Sequence, residues 1–334
     1  MRETLRALGL TVGRMRSGAT DTILDVPGFR VGHLSLVQGE GRLRVGEGPV
    51  RTGVTVVAPP GPPPWTAAVH VINGFGKTAG LMQVAELGTL EHPILLTNTL
   101  GVGAVLDGYL ALVRDGVTGE AGSLRNVVVA ECNDGFLNDL WGLHVRPHHV
   151  RAALMDLSDR ELQQGAVGAG TGMAGFGHKG GIGSASRVLS SGHTIAALVL
   201  LICGRPEELI FRGVRILESG EERTPDGSII MVLAADTGLD AWDLTRVARR
   251  ATHGLARTGA VSAPGSGDVV IAVDVGEAGR TGDHRLGECF EATAEVVEAA
   301  VWNALLTAET MVGQDGHVLR ALDVDRVLRA AGSV

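Results

Sequence analysis

Gly265-Ser266-Gly267-Asp268, followed without a break by Val269-Val270-Ile271-Ala272-Val273, is the stretch on which the reading of this chain turns. A small residue precedes a hydroxyl residue, and an apolar run rich in β-branched side chains follows, so Ser266 stands at the start of a buried strand. This is the layout of a peptide bond that cuts itself and leaves Ser266 as a new N-terminus. A Ser hydroxyl is a weak nucleophile without a base beside it. A free α-amine, with a pKa of about 7.7–8, is roughly one-tenth unprotonated at neutral pH, and on a terminal Ser it sits next to the hydroxyl. Gly265 lacks a Cβ and tolerates the backbone angles that attack on its carbonyl requires. The strand would hold the nucleophile on a rigid support. Taken alone, Pro264-Gly265-Ser266-Gly267 is equally a tight turn leading into a strand.

The rest of the chain frames that choice. Its 334 residues, 45% hydrophobic and 20% charged, supply a large globular core. The 49 glycines fall in short clusters between apolar runs, which reads as tight turns and close backbone contacts, not disorder. The net charge of −8, without a basic stripe interleaved with aromatics, argues against a nucleic-acid partner. Arg246, Arg249, Arg250 and Arg257 read as the solvated face of one helix. Cys132, Cys203 and Cys289 form no CxxC pair and read as reduced, buried thiols. The start at Met1-Arg2-Glu3 lacks a secretory apolar segment. The longest apolar run, 195–203, is too short to span a bilayer, so a cytoplasmic protein without a membrane partner is expected.

Apolar runs at 53–58, 67–72, 93–96, 127–130, 195–203, 228–235 and 269–273 read as strands. Most are continuous, not alternating, so both faces should be covered. Helices fit 78–87, 102–113, 148–163, 241–255 and 290–311, the fourth capped by Asp240 and the last carrying an Ala-rich face suited to close packing on a sheet. The polar stretches 218–227 and 276–287 read as exposed loops. Strands and helices do not alternate cleanly enough for a doubly wound fold, and a layered α/β sandwich with mixed sheets is expected.

Other motifs carry less. Residues 175–180 spell GxGxxG but lack the preceding strand, the following helix and the spaced acid of a dinucleotide site. Gly74-Phe75-Gly76-Lys77-Thr78 ends like a phosphate loop, yet the motif's leading Gly would fall at Val71. His144, His148 and His149 fit no zinc spacing and read as surface or capping residues. Glu131-Cys132-Asn133-Asp134-Gly135 closes an apolar strand, where acidic and amide groups either face a cleft or build a turn; both readings stand.

Taken together, these segments resemble the DmpA-type aminopeptidases, a family of N-terminal-nucleophile hydrolases that includes L-aminopeptidase/D-esterase/amidases and β-peptidyl aminopeptidases. The likeness runs nearly end to end. It covers Asp25-Val26-Pro27-Gly28 through Val31-Gly32-His33, then Arg51-Thr52-Gly53-Val54-Thr55, Asn73-Gly74 and Leu96-Thr97-Asn98-Thr99. It continues through ECNDGFLND at 131–139, GAVGAGTG at 165–172 and KGGIGSASR at 179–187, and closes with Arg257-Thr258-Gly259 and the GSGD at 265–268.

The resemblance implies a four-layer αββα sandwich, of the kind shared with the ornithine acetyltransferases, over one domain of residues 1–334. It implies cleavage between Gly265 and Ser266 into a heavy chain, 1–265, and a light chain, 266–334, assembled as a homo-oligomer, often a tetramer of such pairs. It makes Ser266 the nucleophile with its own amine as base, and puts Glu131 where relatives bind the substrate's ammonium group. Asn133 falls where some relatives place an oxyanion-stabilising Tyr; an amide NH2 donates in the same way. The substrate implied is a small peptide, amide or ester, with no metal or organic cofactor. Three positions depart from the family pattern. Ile202 stands where an Asn is frequent, and Val297 and Ala299 stand where the last helix carries a hydroxyl residue and a Glu. Either the register shifts locally, making Glu298 the orienting carboxylate, or the new amine is oriented differently. The alternatives are a non-catalytic relative that binds or assembles, and an acyltransferase like the ornithine acetyltransferases, whose nucleophile is a Thr.

Overall fold

A computed structural model describes residues 2–118, 125–216, 227–277 and 283–332. The principal strands are β1 (Arg30–Gln38), β2 (Val50–Ala58), β3 (Trp65–Gly74), β4 (Ile94–Asn98), β5 (Val128–Cys132), β6 (Ile182–Val188), β7 (Thr194–Ile202), β8 (Ser228–Ala235) and β9 (Gly267–Asp274). The helices are α1 (Leu81–Leu87), α2 (Val102–Arg114), α3 (Pro147–Met155), α4 (Ala241–Ala248), α5 (Ala251–Arg257), α6 (Asp283–Leu306) and α7 (Val324–Ala331).

One sheet runs β1-β2-β4-β5, with only β4 and β5 parallel. The other begins at the short edge strand Thr89–Leu90 and continues β3-β9-β8-β7-β6, with only β8 and β9 parallel. The continuous apolar runs follow from their position. In β7, Leu198, Leu200 and Ile202 point between the sheets, where they meet Val57, Leu96 and Ala130. The alternate Ala197, Val199 and Leu201 point to the helix layer of Val247, Val296 and Ala300. The outer face of the first sheet, Val54, Val56 and Val129, is covered by Val105, Tyr109 and Val150 of α2 and α3. Two sheets with helices outside each make the αββα sandwich, and both faces of the central strands are dry.

Several expected boundaries shift. The helix expected over 148–163 starts at Pro147 and stops at Met155, after which Ser158 bridges to Val31. The single helix expected over 241–255 is two, α4 and α5, broken at Arg249–Arg250, where the Arg250 guanidinium lies 3.9 Å over the Phe290 ring. The four arginines therefore do not share one solvated face: Arg257 pairs with Glu298 at 3.4 Å and Arg246 with Asp243 at 2.8 Å. The last long helix begins at Asp283, inside the stretch expected as loop, and ends at Leu306; residues 218–226 and 278–282 of the two expected loops lie outside the described residues. The GxGxxG stretch is a two-stranded hairpin, Ala174–Gly175 against His178–Lys179, turning through Phe176 and Gly177 at positive φ. Among the described residues no helix is long and apolar enough to cross a membrane.

Candidate active site

β9 starts at Gly267, directly after Ser266, at the end of the second sheet where β8 also begins and β7 ends. Residues i and i+2 of an extended chain lie on one face, so Ser266 and Asp268 point the same way. Ser266 Oγ donates to Asp268 Oδ1 at 2.5 Å, and both residues are buried. Burial holds the Asp268 carboxyl above the usual carboxylate range, against the opposing pull of the Ser262 and Ser266 hydroxyls and the Ile229 backbone, and Oδ2 is buried without a partner.

The residues before the strand are shaped as tightly. The Ser266 N–H donates to Ala263 O at 2.8 Å and closes a β-turn over Pro264-Gly265. Ser262, just upstream, has φ 53°, a left-handed conformation that costs a residue with a Cβ about 1 kcal/mol or more. Asn73, at the end of β3, donates from Nδ2 to Ala263 O at 3.1 Å, to Pro264 O at 3.2 Å and to Ser266 O. Ser228 Oγ accepts the Gly267 N–H at 3.0 Å. A Cβ on Gly267 would lie 2.9 Å from Phe75 O, so only glycine lets the 74–77 loop cross at this level.

That loop brings the second carboxylate in. Glu131 near the end of β5 is buried; its Oε1 accepts the Lys77 N–H at 2.8 Å and its Oε2 accepts from Thr99 Oγ1. A Cβ on Gly76 would lie 3.6 Å from Glu131 Oε1 and 3.8 Å from Gly267 Cα, so the carboxylate and the start of β9 face each other across Gly76. The structure thus brings Glu131, Gly265 and Ser266 to one end of the sandwich.

Asn133 belongs to that end in a different way. Its Oδ1 accepts the Gly135 N–H at 2.9 Å, so the turn reading holds, and the exposed residue also borders a cleft of about 350 Å³, so the cleft reading holds as well. Phe136, Leu140, Trp141, Ala174 and Ile202 supply the apolar wall. Ile202 pairs with Ser228, and Ser228 holds Gly267, so the cleft wall and the nucleophile strand stand two strand spacings, about 10 Å, apart.

Glu298 does not join this group. It lies in the helix layer, paired with Arg257, and burial raises its carboxyl despite that partner. Its neighbour Glu295 is held by Arg187 at 2.9 Å and by the Arg14 N–H at 2.6 Å. Val297 and Ala299 are buried in the same apolar core, with Val297 packed where a Cβ on Gly254 would touch it at 2.8 Å. The local register shift that would bring Glu298 to Ser266 is not seen, because α6 packs its length against β6 and β7 rather than over the start of β9.

Asp268, Asn73 and Ser228 have no role in the sequence reading. Asp268 was legible as the last letter of GSGD and Asn73 as the first of Asn73-Gly74; Ser228 had no signal of its own. Lys179 and Asp134 are both fully buried. Lys179 Nζ donates to the carbonyls of Gly170 (3.1 Å), Met173 (2.8 Å) and Gly180 (2.7 Å), tying 165–172 to 179–187. Burial lowers Lys179 to about 7 and raises Asp134 to about 7, the two being close enough to interact. His144 pairs with Asp139 at 2.8 Å and His149 Nδ1 accepts the Arg146 N–H at 3.0 Å, which are pairing and capping roles.

Known proteins match this chain along most of its length. The model of peptidase family S58 matches residues 21–319. The β-peptidyl aminopeptidase BapA of Sphingosinicella microcystinivorans is 35% identical over 92% of this chain and 86% of its own. Among solved structures, the PH0078 protein of Pyrococcus horikoshii OT3 superposes with a TM-score of 0.91 at 41% identity, over 99% of each chain. The L-aminopeptidase D-Ala-esterase/amidase of Ochrobactrum anthropi, described as a prototype of the serine aminopeptidases and a variant of the Ntn hydrolase fold, gives 0.90 at 33% identity, over 99% of this chain and 98% of its own. Such agreement from the first strand to the last hairpin, with the GSGD stretch opening β9, makes the chain a member of peptidase family S58, an aminopeptidase-type hydrolase on an αββα sandwich.

Proposed function

We propose that this hydrolase is made as a precursor that cuts between Gly265 and Ser266, and that the 1–265 and 266–334 chains stay together as the working enzyme. The observation that carries the reading is the position of Ser266. It is buried at the head of a central strand, with its upstream turn clamped by Asn73 and a buried carboxylate, Glu131, across Gly76. Scission releases the turn that precedes Ser266 and turns an inert amide nitrogen into an amine able to act as base.

In the mature enzyme Ser266 Oγ attacks the carbonyl of a small peptide, amide or ester, and its α-amine takes the proton. Glu131 receives the substrate's ammonium group, since a cation drawn out of water needs a paired anion. Asn133 and backbone N–H groups receive the oxyanion, and the substrate side chain lies in the apolar cleft of Phe136, Trp141 and Ile202. Water then releases the acyl group. The names of the relatives, a β-peptidyl aminopeptidase and an L-aminopeptidase D-Ala-esterase/amidase, support β-aminoacyl and α-aminoacyl amides as the first substrates to try. Three free, buried cysteines suit a reducing compartment, so a cytoplasmic location belongs to this reading, as does a homo-oligomer of processed pairs.

Intact-mass measurement and N-terminal sequencing of the purified protein test it. The expected result is two fragments, one beginning at Ser266, with turnover of aminoacyl amides that Ser266→Ala abolishes. A protein that turns substrate over as one uncut chain overturns it.

A further inference from the structure

The amine that serves as base in the mature enzyme does not exist before scission: in the intact chain the Ser266 nitrogen is an amide, engaged with Ala263 O. The first cut therefore needs another base. The Ser266 hydroxyl donates to Asp268 Oδ1 at 2.5 Å, and i,i+2 spacing on an extended chain fixes the two side chains on one face. Asp268 is fully buried and its second oxygen has no hydrogen bond, so burial favours its taking a proton, against the pull of the Ser262 and Ser266 hydroxyls and the Ile229 backbone. A small pocket of about 20 Å³ adjoins both residues, walled also by Cys203, Glu208, Ser262 and Ala263, and is large enough for one water.

We propose that Asp268 is the catalytic base of chain scission, an inference that rests on the self-cutting reading above. The Ser266 Oγ proton passes to Asp268 Oδ1 as Oγ attacks the Gly265 carbonyl carbon. The cyclic adduct opens by breaking the bond from Gly265 C to Ser266 N, and Asp268 returns its proton to the leaving nitrogen. The result is an ester between Gly265 and Ser266 Oγ beside a free amine. One water cleaves the ester, leaving a Gly265 carboxylate and restoring the Ser266 hydroxyl.

Burial raises the Asp268 carboxyl, which makes it a stronger base once ionised. The other ionisable groups around it are Cys203, Arg205 and Glu208 on the cavity wall and Cys132 of β5. Burial pushes both thiols up, so they stay protonated, and Arg205 and Glu208 pair with each other at 2.6 Å.

The full chain is made by cell-free synthesis and its scission followed by gel and intact mass. Asp268→Asn is expected to slow scission at least 100-fold, and Asp268→Glu to recover part of the rate. In the unaltered chain, and in Glu208→Gln, the rate should fall as pH drops through the carboxyl range and level off above it. Asp268→Asn that cuts within threefold of the unaltered chain overturns the inference. If that variant fails to fold, as judged by circular dichroism, a scission rate flat between pH 4 and 8 in the unaltered chain overturns it instead. An unaltered chain that never cuts overturns the self-cutting reading itself, which is a different outcome from either.

Discussion

Asn73 Nδ2 donates to the carbonyl oxygen of Ser266, and through the same nitrogen to those of Ala263 and Pro264. One amide thus holds both sides of the Gly265–Ser266 bond from the neighbouring strand. Asn73→Ala frees the turn and lets the Gly265 carbonyl drift from Ser266 Oγ. We expect scission to slow about 10- to 100-fold, equivalent to about 1.4–2.8 kcal/mol of barrier. A time course of uncut chain on a gel measures it directly.

Glu131 is held by the Lys77 N–H and the Thr99 hydroxyl, so its carboxylate is oriented before substrate arrives. Glu131→Gln keeps the shape and removes the charge. For substrates with a free amine, kcat/KM should fall by about 100-fold, roughly the 2–3 kcal/mol of a buried charge-assisted contact. Substrates whose amine is acetylated should be poor for the unaltered enzyme and unchanged by the substitution. Steady-state kinetics on matched amides separates the two.

The apolar cleft makes a claim about side-chain preference. Trp141, largely exposed at its rim, adds aromatic surface that a bulky substrate group would cover. Trp141→Ala should lower kcat/KM about tenfold for aromatic substrates and less than twofold for alanyl ones, within the 1–3 kcal/mol that an apolar pocket discriminates. Equal losses for both would remove the cleft from the substrate's path.

Glu298 provides the contrast. Paired with Arg257 in the helix layer, it should be dispensable for chemistry: Glu298→Gln is expected to change scission and turnover less than twofold. A large loss in either rate, with the thermal melt unchanged, would return Glu298 to the site.

Asp134 predicts a pH effect on stability. Its carboxyl is raised to about 7 in the folded protein by burial, against about 3.9 in an unfolded chain. Between those values the folded state binds the extra proton, so the stability that this group contributes is fully present below pH about 4 and is lost as pH rises through about 7. The slope is at most about 1.4 kcal/mol per pH unit. Urea melts across this range should show the loss in the unaltered protein and a flatter profile in Asp134→Asn.

Much of the fold was legible because burial on both faces writes itself as unbroken apolar runs, as in β7, β8 and β9. Among the principal strands, β6 and β1 escaped notice for different reasons. β6 carries Ser184, whose hydroxyl donates to Ala197 O at 2.6 Å, and Arg187, which pairs with Glu295; neither looks like core in one dimension. β1 is half exposed and lacks a clean period. The glycine clusters announced close backbone contact without naming the partner: a Cβ on Gly53 would lie 2.2 Å from Leu34 O and 2.3 Å from Gly168 O, contacts far apart in the chain.

Residue order alone settled that a hydroxyl stands at the head of a buried strand; that Asp268 two positions on shares its face and meets it came with the structure. It also located Glu131 and Asn133 at a strand end. The tertiary structure decided which groups meet there. It brought Asn73 and Ser228 to the scissile turn and left Glu298, Val297 and Ala299 in the helix layer. The physical reason is that pairing between strands and the packing of a helix on a sheet are set by contacts between residues distant in sequence, which no local period records.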